Sequence, residues 1–403
     1  MSSSKPLVIV LSRNYSTGLG VIRSLGSAGY TVDLIASVKK NGSSVIASCS
    51  KYVRKSVEVL SRKIQGDSGE GIIRELMKYA GSGERIVLFP ADDYTASIVA
   101  DNYDALSKHF LIPATVGERS IPLHKAMDKS RQSELARECG ISTISEWVID
   151  LRGDIIIPDD IIYPCFVKPA QSINGSKSEM RVCADRGELS EHLGAMKLFF
   201  SDREIIVQEY LDIDMEYDLS GLCLDEKIII PGVIEKTRIS KHEQGVTMSG
   251  VMLDAEILGD SRQKLENMLR SLHYFGMFDM ELFVCGDMLY FNEINLRSGG
   301  PNYAYYLCGV NLPDILVKEL IGEGHSEVEE RLNAFGKSFV YEKVAWEDYI
   351  HSHMSRYELN KCIEDADFTL LADKNDPAPG RSFYKRIRLS AVKHRALMAL
   401  GRE

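Results

Sequence analysis

The chain has 403 residues, 44% of them hydrophobic and 26% charged, and a net charge of −10. That composition is ordinary for a soluble globular protein with room for two or three domains. The acidic balance argues against a nucleic-acid partner, because duplex binders present a basic face, and no apolar run is long enough to span a bilayer.

The N-terminal stretch MSSSKPLVIVLS lacks a basic flank and a small-residue cleavage site, so it reads as a first strand and not as a signal peptide. Leu7 to Ser12 is a continuous apolar run suited to a buried parallel strand. The next stretch, SRNYSTGLG, reads as a Ser/Thr/Gly turn with weak anion-binding potential. It lacks the third glycine of a dinucleotide fingerprint, and the acidic candidate Asp33 falls inside the second strand, TVDLIAS. Between them GVIRSLGSAGY has helical spacing and closes near Gly29. The strand RIVLFP precedes a helix from about Tyr94 to Leu106. Asp92 and Asp93 end that strand, where open α/β sheets place ligands, and one of them serves equally well as a helix cap.

From Asp128 the pattern changes. DKSRQSELARECGI predicts a helix opened by Asp128 and closed by Gly140. Short strands follow: YPCFVKPA, EMRVCA, EIIVQEYL, YDLSGLCL and KIIIPGVIE. The helix SRQKLENMLRSLHYFG carries Leu265, Leu269, Leu272 and Phe275 on one core stripe. Beyond about Glu323 come charged residues, a turn-rich ADKNDPAPG and a basic end. Eight cysteines occur with no CxxC pair, which predicts reduced, buried thiols in a cytoplasmic protein.

The most informative segment is the hairpin FDMELFVCGDMLYFNEINLR. Glu293 and Asn295 share one face of its second strand. With a three-residue CGD turn centred on Gly286, Glu281 lies opposite Phe291 and diagonal to Glu293, on that same face. Two carboxylates so placed suit magnesium, which binds through one or two carboxylates plus nucleotide phosphates. A two-residue turn would shift the register and spoil the shared face. Arg297 follows at once, a planar cation suited to phosphate or carboxylate. Lys168 ends an apolar strand and Lys129 sits in a helix first turn, where the dipole disfavours a cation; an anionic ligand accounts for both. The polar loop AQSINGSKS, with Lys177, has the composition to place backbone N–H groups over phosphates, although an ordinary hairpin turn explains it as well. Lys236, Arg238, Lys241 and His242 form a basic cluster that reads equally as an acidic-substrate site or as a solvated loop.

In order, MDKSRQSELARECGI, YPCFVKPAQSINGSKS, IIVQEYLDIDMEYDLSG and MELFVCGDMLYFNEINLRSGG resemble the ATP-grasp superfamily, with Glu281 and the following E-x-N-x-R as the most specific piece. The nearest branch is the carbamoyl-phosphate-synthetase-like carboxylate–amine ligases, including D-aspartate ligase. The resemblance implies an α/β and α+β protein. Residues 1–113 would form an open parallel Rossmann-like domain. Residues 114–325 would form a two-lobed ATP-grasp domain, with a lid lobe at about 140–207 and a large lobe at about 208–325. Residues 326–403 would be a C-terminal extension. It also implies roles. Lys129 and Lys168 would contact ATP phosphates, with Ser172, Gly175, Ser176 and Lys177 in a lid over them. Gln208, Glu209, Tyr210 and Leu211 would line adenine, and Glu216 would hold the ribose. Glu281, Glu293 and Asn295 would carry Mg2+, with Mn2+ as a substitute. Arg297 and Lys168 would act on the transferred phosphoryl. The implied reaction joins a carboxylate to an amine, on an amino acid, through an acyl-phosphate. The rivals are a non-catalytic ATP-binding module and a bicarbonate-phosphorylating enzyme. Oligomeric state stays open, with homodimers frequent in the family.

Overall fold

The computed structural model describes residues 5–13, 15–38, 45–60, 69–83, 85–113, 115–116, 126–169, 180–199, 203–225, 227–243 and 245–399. The chain opens with β1 (Leu7–Ser12), α1 (Tyr15–Ser27), β2 (Thr31–Val38), β3 (Val53–Leu60), α2 (Glu70–Met77), β4 (Ile86–Pro90), α3 (Asp93–Asp101) and α4 (Tyr103–Leu106). The four strands form a parallel sheet in the order β3-β2-β1-β4. All six residues of β1 are buried. Val8 and Val10 pack under Leu19, Ile22 and Leu25 of α1, while Leu7, Ile9 and Leu11 pack under Ile72, Leu76, Ile98 and Leu106. Coverage on both faces is why the strand is apolar without alternation.

Two sequence readings are corrected here. The expected turn SRNYSTGLG is mostly helix, since α1 starts at Tyr15. Buried Leu19 extends the apolar stripe of Ile22 and Leu25 toward the N-terminus. The helix expected from Tyr94 to Leu106 is split at Asn102, and Asp92 caps its first half by accepting from the Thr95 N–H.

The middle of the chain contains β5 (Thr115–Val116), α5 (Lys129–Glu138), β6 (Ser142–Thr143), β7 (Glu146–Asp150), β8 (Cys165–Pro169), β9 (Arg181–Cys183), α6 (Arg186–Phe199) and β10 (Glu204–Glu209). As read from the sequence, Asp128 caps α5, and Gly140 follows it at a φ of 73°. Strands β7, β10, β8 and β9 form an antiparallel sheet. Its inner face packs Cys165, Val167, Ile205 and Val207 on Leu189 and Leu193 of α6, a helix the sequence reading passed over.

Next come β11 (Met215–Cys223), β12 (Ile228–Ile229), β13 (Gly232–Ile239), β14 (Thr247–Asp254), α7 (Ser261–Ser271), β15 (Tyr274–Cys285) and β16 (Met288–Asn295). Helix α7 buries Leu265 and Leu269, but it ends at Ser271, and His273 takes a φ of 48°. Phe275 therefore lies on β15 and not on the helical stripe. The chain closes with α8 (Asn302–Leu307), α9 (Leu312–Ile321), β17 (Lys337–Val340), α10 (Glu342–Ile350), α11 (Arg356–Glu364), β18 (Phe368–Thr369) and α12 (Pro377–Ala399). A ten-stranded sheet runs β18-β17-β14-β13-β11-β15-β16-β6, with β12 on β11 and β5 on β15. The last two strands thus extend the sheet that carries the hairpin acids. Leu359 and Phe383 join the core that holds Val8 and Leu25. All eight cysteines are free thiols, as expected, but only Cys165, Cys183, Cys223 and Cys308 are buried; Cys139, Cys285 and Cys362 are half-buried and Cys49 is exposed.

Candidate functional site

The hairpin β15–β16 places the acids by a route the sequence did not reveal. Cys285 pairs with Met288, so the turn holds two residues, Gly286 and Asp287, and not the expected three. Gly286 takes a φ of 57°, a region glycine enters without strain. With an unbroken ladder Glu281 would face Asn292. A bulge between Leu282 and Glu281 absorbs one residue, and Glu281 stands directly opposite Glu293. Met280 then pairs with Ile294 and Asp279 with Asn295. The two carboxylates are direct cross-strand neighbours, closer than the diagonal pair the sequence suggested.

The extra residue, Asn292, serves the site. Its amide nitrogen donates to Glu281 Oε2 at 3.4 Å, and its oxygen accepts from Lys168 Nζ at 3.4 Å. Lys168 lies on β8, across the cleft from the hairpin. Lys129, from the first turn of α5, reaches Glu293 Oε2 at 2.6 Å. The Asn295 amide donates to Glu293 Oε1 at 3.4 Å. On the other side Lys236 of β13 bridges Glu216 Oε2 at 3.2 Å and Glu281 Oε2 at 3.3 Å. Lys236 thus leaves the basic cluster assigned to it from sequence, and its side chain is fully buried among the acids.

These charges shift one another. Burial alone would raise the Glu293 carboxyl, but Lys129, Lys168 and the Asn295 amide outweigh it and hold it at about 2. Glu281 goes the other way. Burial, with Glu293, Asp279 and Glu216 nearby, raises it despite Lys236. Burial and the neighbouring Lys129 pull Lys168 down to about 8, against the attraction of Glu293 and Glu146.

A cleft joins these groups. Lys129, Lys168, Gln208, Glu209, Tyr210, Leu211, Glu216, Glu281 and Glu293 all line it, so nine residues singled out from sequence meet in one place. Phe166, Met180, Ile213 and Phe283 add apolar wall to the cleft, a setting for a flat ring, and none of them was picked from sequence. Gln208 donates to Glu146 Oε2 at 3.2 Å. Asn295 and Arg297 do not line the cleft themselves, although Asn295 bonds Glu293, which does. Arg297 bonds Asp93 Oδ1 at 3.0 Å and Asp279 Oδ2 at 2.9 Å. Burial opposes its charge, but these two acids more than offset that. Gly299 passes so near Asp279 that a Cβ there would sit 2.0 Å from its Oδ1. Ser172, Gly175, Ser176 and Lys177 lie outside the described residues.

Among the described residues no three His, Cys, Asp or Glu side chains group as a metal cluster. Two opposed carboxylates plus an amide oxygen nevertheless suit magnesium, which draws its remaining ligands from phosphates and water. The donors are all oxygen, which disfavours a thiophilic metal.

The fold is similar to that of ATP-grasp ligases. No family model matches the chain. Its sequence is 21% identical over 215 residues to the carbamoyl phosphate synthase large chain of Agathobacter rectalis, covering 52% of this chain and 20% of that protein. It is 26% identical over 204 residues to the D-alanine–D-alanine ligase of Campylobacter lari, covering 48% and 57%. The chain thus spans a fifth of one relative and little more than half of the other. Among solved structures, the L-amino acid ligase from Bacillus licheniformis aligns with a TM-score of 0.59 at 15% identity, over 82% of this chain and 77% of that one. The biotin carboxylase domain of the Hydrogenobacter thermophilus 2-oxoglutarate carboxylase, in complex with MgADP and bicarbonate, gives 0.60 at 16%, over 82% and 73%.

Proposed function

We propose that this chain is an ATP- and Mg2+-dependent ligase that joins a carboxylate to an amine, with an amino acid among its substrates. The observation that carries this reading is the Glu281–Glu293 pair, flanked by Lys129 and Lys168, in a cleft whose lining also includes Phe166, Met180, Ile213 and Phe283. The apolar lining residues and the strand-end segment Gln208–Leu211 take the adenine, and Glu216 takes the ribose. The lysines meet the phosphates. Glu281, Glu293 and Asn295 hold magnesium, which supplies charge neutralisation for the transferred phosphoryl group. Residues 1–113, 114–325 and 326–403 are the domain division that goes with this reading.

In the first step a substrate carboxylate oxygen attacks the γ-phosphorus and ADP leaves. In the second an amine attacks the acyl carbon, phosphate leaves and the amine loses a proton. Arg297 and Lys168 present fixed positive charge to the oxygens that gain charge in these steps. No side-chain nucleophile is required. The described cysteines of the core fit that, since burial raises Cys165, Cys223 and Cys308.

The test is a screen of amino-acid pairs with ATP and Mg2+, read by ADP and phosphate release and by mass spectrometry of the products. Amide formation with stoichiometric ADP supports the reading. Nucleotide binding without ADP release under any pair would replace it with a binding module. The structural likeness to a bicarbonate-bound carboxylase domain favours one second reading. ADP release dependent on bicarbonate alone would establish that one.

A further inference from the structure

The last helix carries a feature that the nucleotide cleft does not use. Residues 377–403 hold seven Lys and Arg (Arg381, Lys385, Arg386, Arg388, Lys393, Arg395 and Arg402) and one acid, Glu403. The segment is thus +6 in a chain of −10, which leaves −16 on residues 1–376. Helix α12 spends its inner face on the body of the protein. Phe383 and Ala391 are buried, and Tyr384 and Ile387 pack against the main core. Its outer face is free of such contacts. Arg381, Lys385, Arg388 and Val392 follow spacings of four, three and four, which puts them on one line along the helix. All four are exposed, and Leu389 beside them is 66% exposed and Val392 69%. Among the described residues none of these three cations makes an ion pair. The row from Arg381 to Val392 runs about 16 Å at 1.5 Å per residue.

We propose that this face docks the protein on an anionic lipid surface. Charge complementarity selects the partner's sign. The concentration of positive charge on one outward face also orients the molecule, because the acidic remainder is repelled by the same surface. The two apolar side chains select lipid over nucleic acid. Leu389 and Val392 stand among the cations where they can enter the headgroup region, as on interfacial helices. The exposed residues of this face, Arg381, Lys385, Arg388, Leu389 and Val392, include no aromatic ring for base stacking. The attachment is peripheral, since no helix among the described residues is long and apolar enough to cross a membrane.

The experiment is sedimentation of the full chain with phosphatidylcholine vesicles, with and without phosphatidylglycerol, at low and high salt. Binding is expected only with phosphatidylglycerol and weakens with salt. The triple variant R381E/K385E/R388E lowers the partition coefficient at least about 100-fold, at roughly fivefold per cation. The variant L389S/V392S lowers it severalfold while leaving the salt dependence in place. These side chains are exposed, so both variants keep the parent's circular dichroism and melting curve. Equal binding to both vesicle types, or none, would overturn the proposal. So would binding to a short DNA duplex without binding to the vesicles.

Discussion

Glu293 and Lys168 show how the site's chemistry depends on neighbours at a few ångströms. Lys168 is buried and Glu293 half-buried, and burial alone disfavours the charged form of each. Glu293 keeps its charge because Lys129 lies 2.6 Å away. Glu281, its cross-strand partner, is driven the opposite way. Different neighbours thus push two adjacent carboxylates in opposite directions. We expect Glu293→Ala and Lys168→Ala each to cut ADP release by roughly 10²–10³-fold or more, the range for losing a charge aimed at the reacting centre. Activity assays with a cognate substrate pair check it, and full turnover by either variant would refute the roles assigned here. Lys168, Glu281 and Glu293 were legible from the sequence because each is a charge inside an apolar pattern, and Lys129 because a cation in a helix first turn runs against the dipole. Lys236 and Asn292 were not, because nothing local separates them from a solvated loop or a strand surface residue.

Secondary-structure elements set those contacts. The hairpin bulge is the clearest case. Alternation along β16 was readable from the sequence, but the turn length and the inserted residue were not. They compensate each other: the shorter turn alone would have faced Glu281 with Asn292. A different dependence on element packing appears at α10. Glu342, at its first position, is wholly buried and accepts from the backbone N–H of Leu371 and Ala372 at 2.8 Å each. Burial raises its carboxyl above the ordinary 4.5, with the backbone donors opposing. A raised folded value means the native state holds the proton more tightly than the unfolded chain. Its contribution to stability is full below about 4.5 and is lost as pH rises through the folded value. Glu342→Gln removes that titration. We therefore expect the urea midpoint of the variant to fall less than that of the parent as pH rises from the acid range toward neutrality.

At the scale of the molecule, one ion pair joins the two ends of the chain. Arg23 on α1 is 1% exposed, and its Nε lies 3.0 Å from Asp376 Oδ2. Its other nitrogens donate to the carbonyls of Leu370, Leu371 and Asp376. Four of the five N–H donors of this guanidinium are used, which offsets the cost of burying it. Arg23→Met leaves Asp376 buried without its cation and three carbonyls without a donor. The expected cost is about 3–5 kcal/mol, read as a lower urea midpoint. In the double variant Arg23→Met/Asp376→Leu the loss should be smaller. A single variant as stable as the parent would show that this contact does not hold the ends together.

The sequence by itself determined the parallel first sheet, the capped helix after Asp128, the order of the site segments and the identity of most side chains lining the cleft. Those features are written in periodicity, caps and out-of-place charges, all of which act over a few residues. Tertiary structure decided the register of the hairpin, the placement of Lys236 between Glu216 and Glu281, the apolar wall from Phe166 to Phe283 and the Arg23–Asp376 link. Each of these joins residues distant in sequence or depends on a turn of one residue more or less. Such choices are settled by packing energy summed over the whole fold, which no local pattern records.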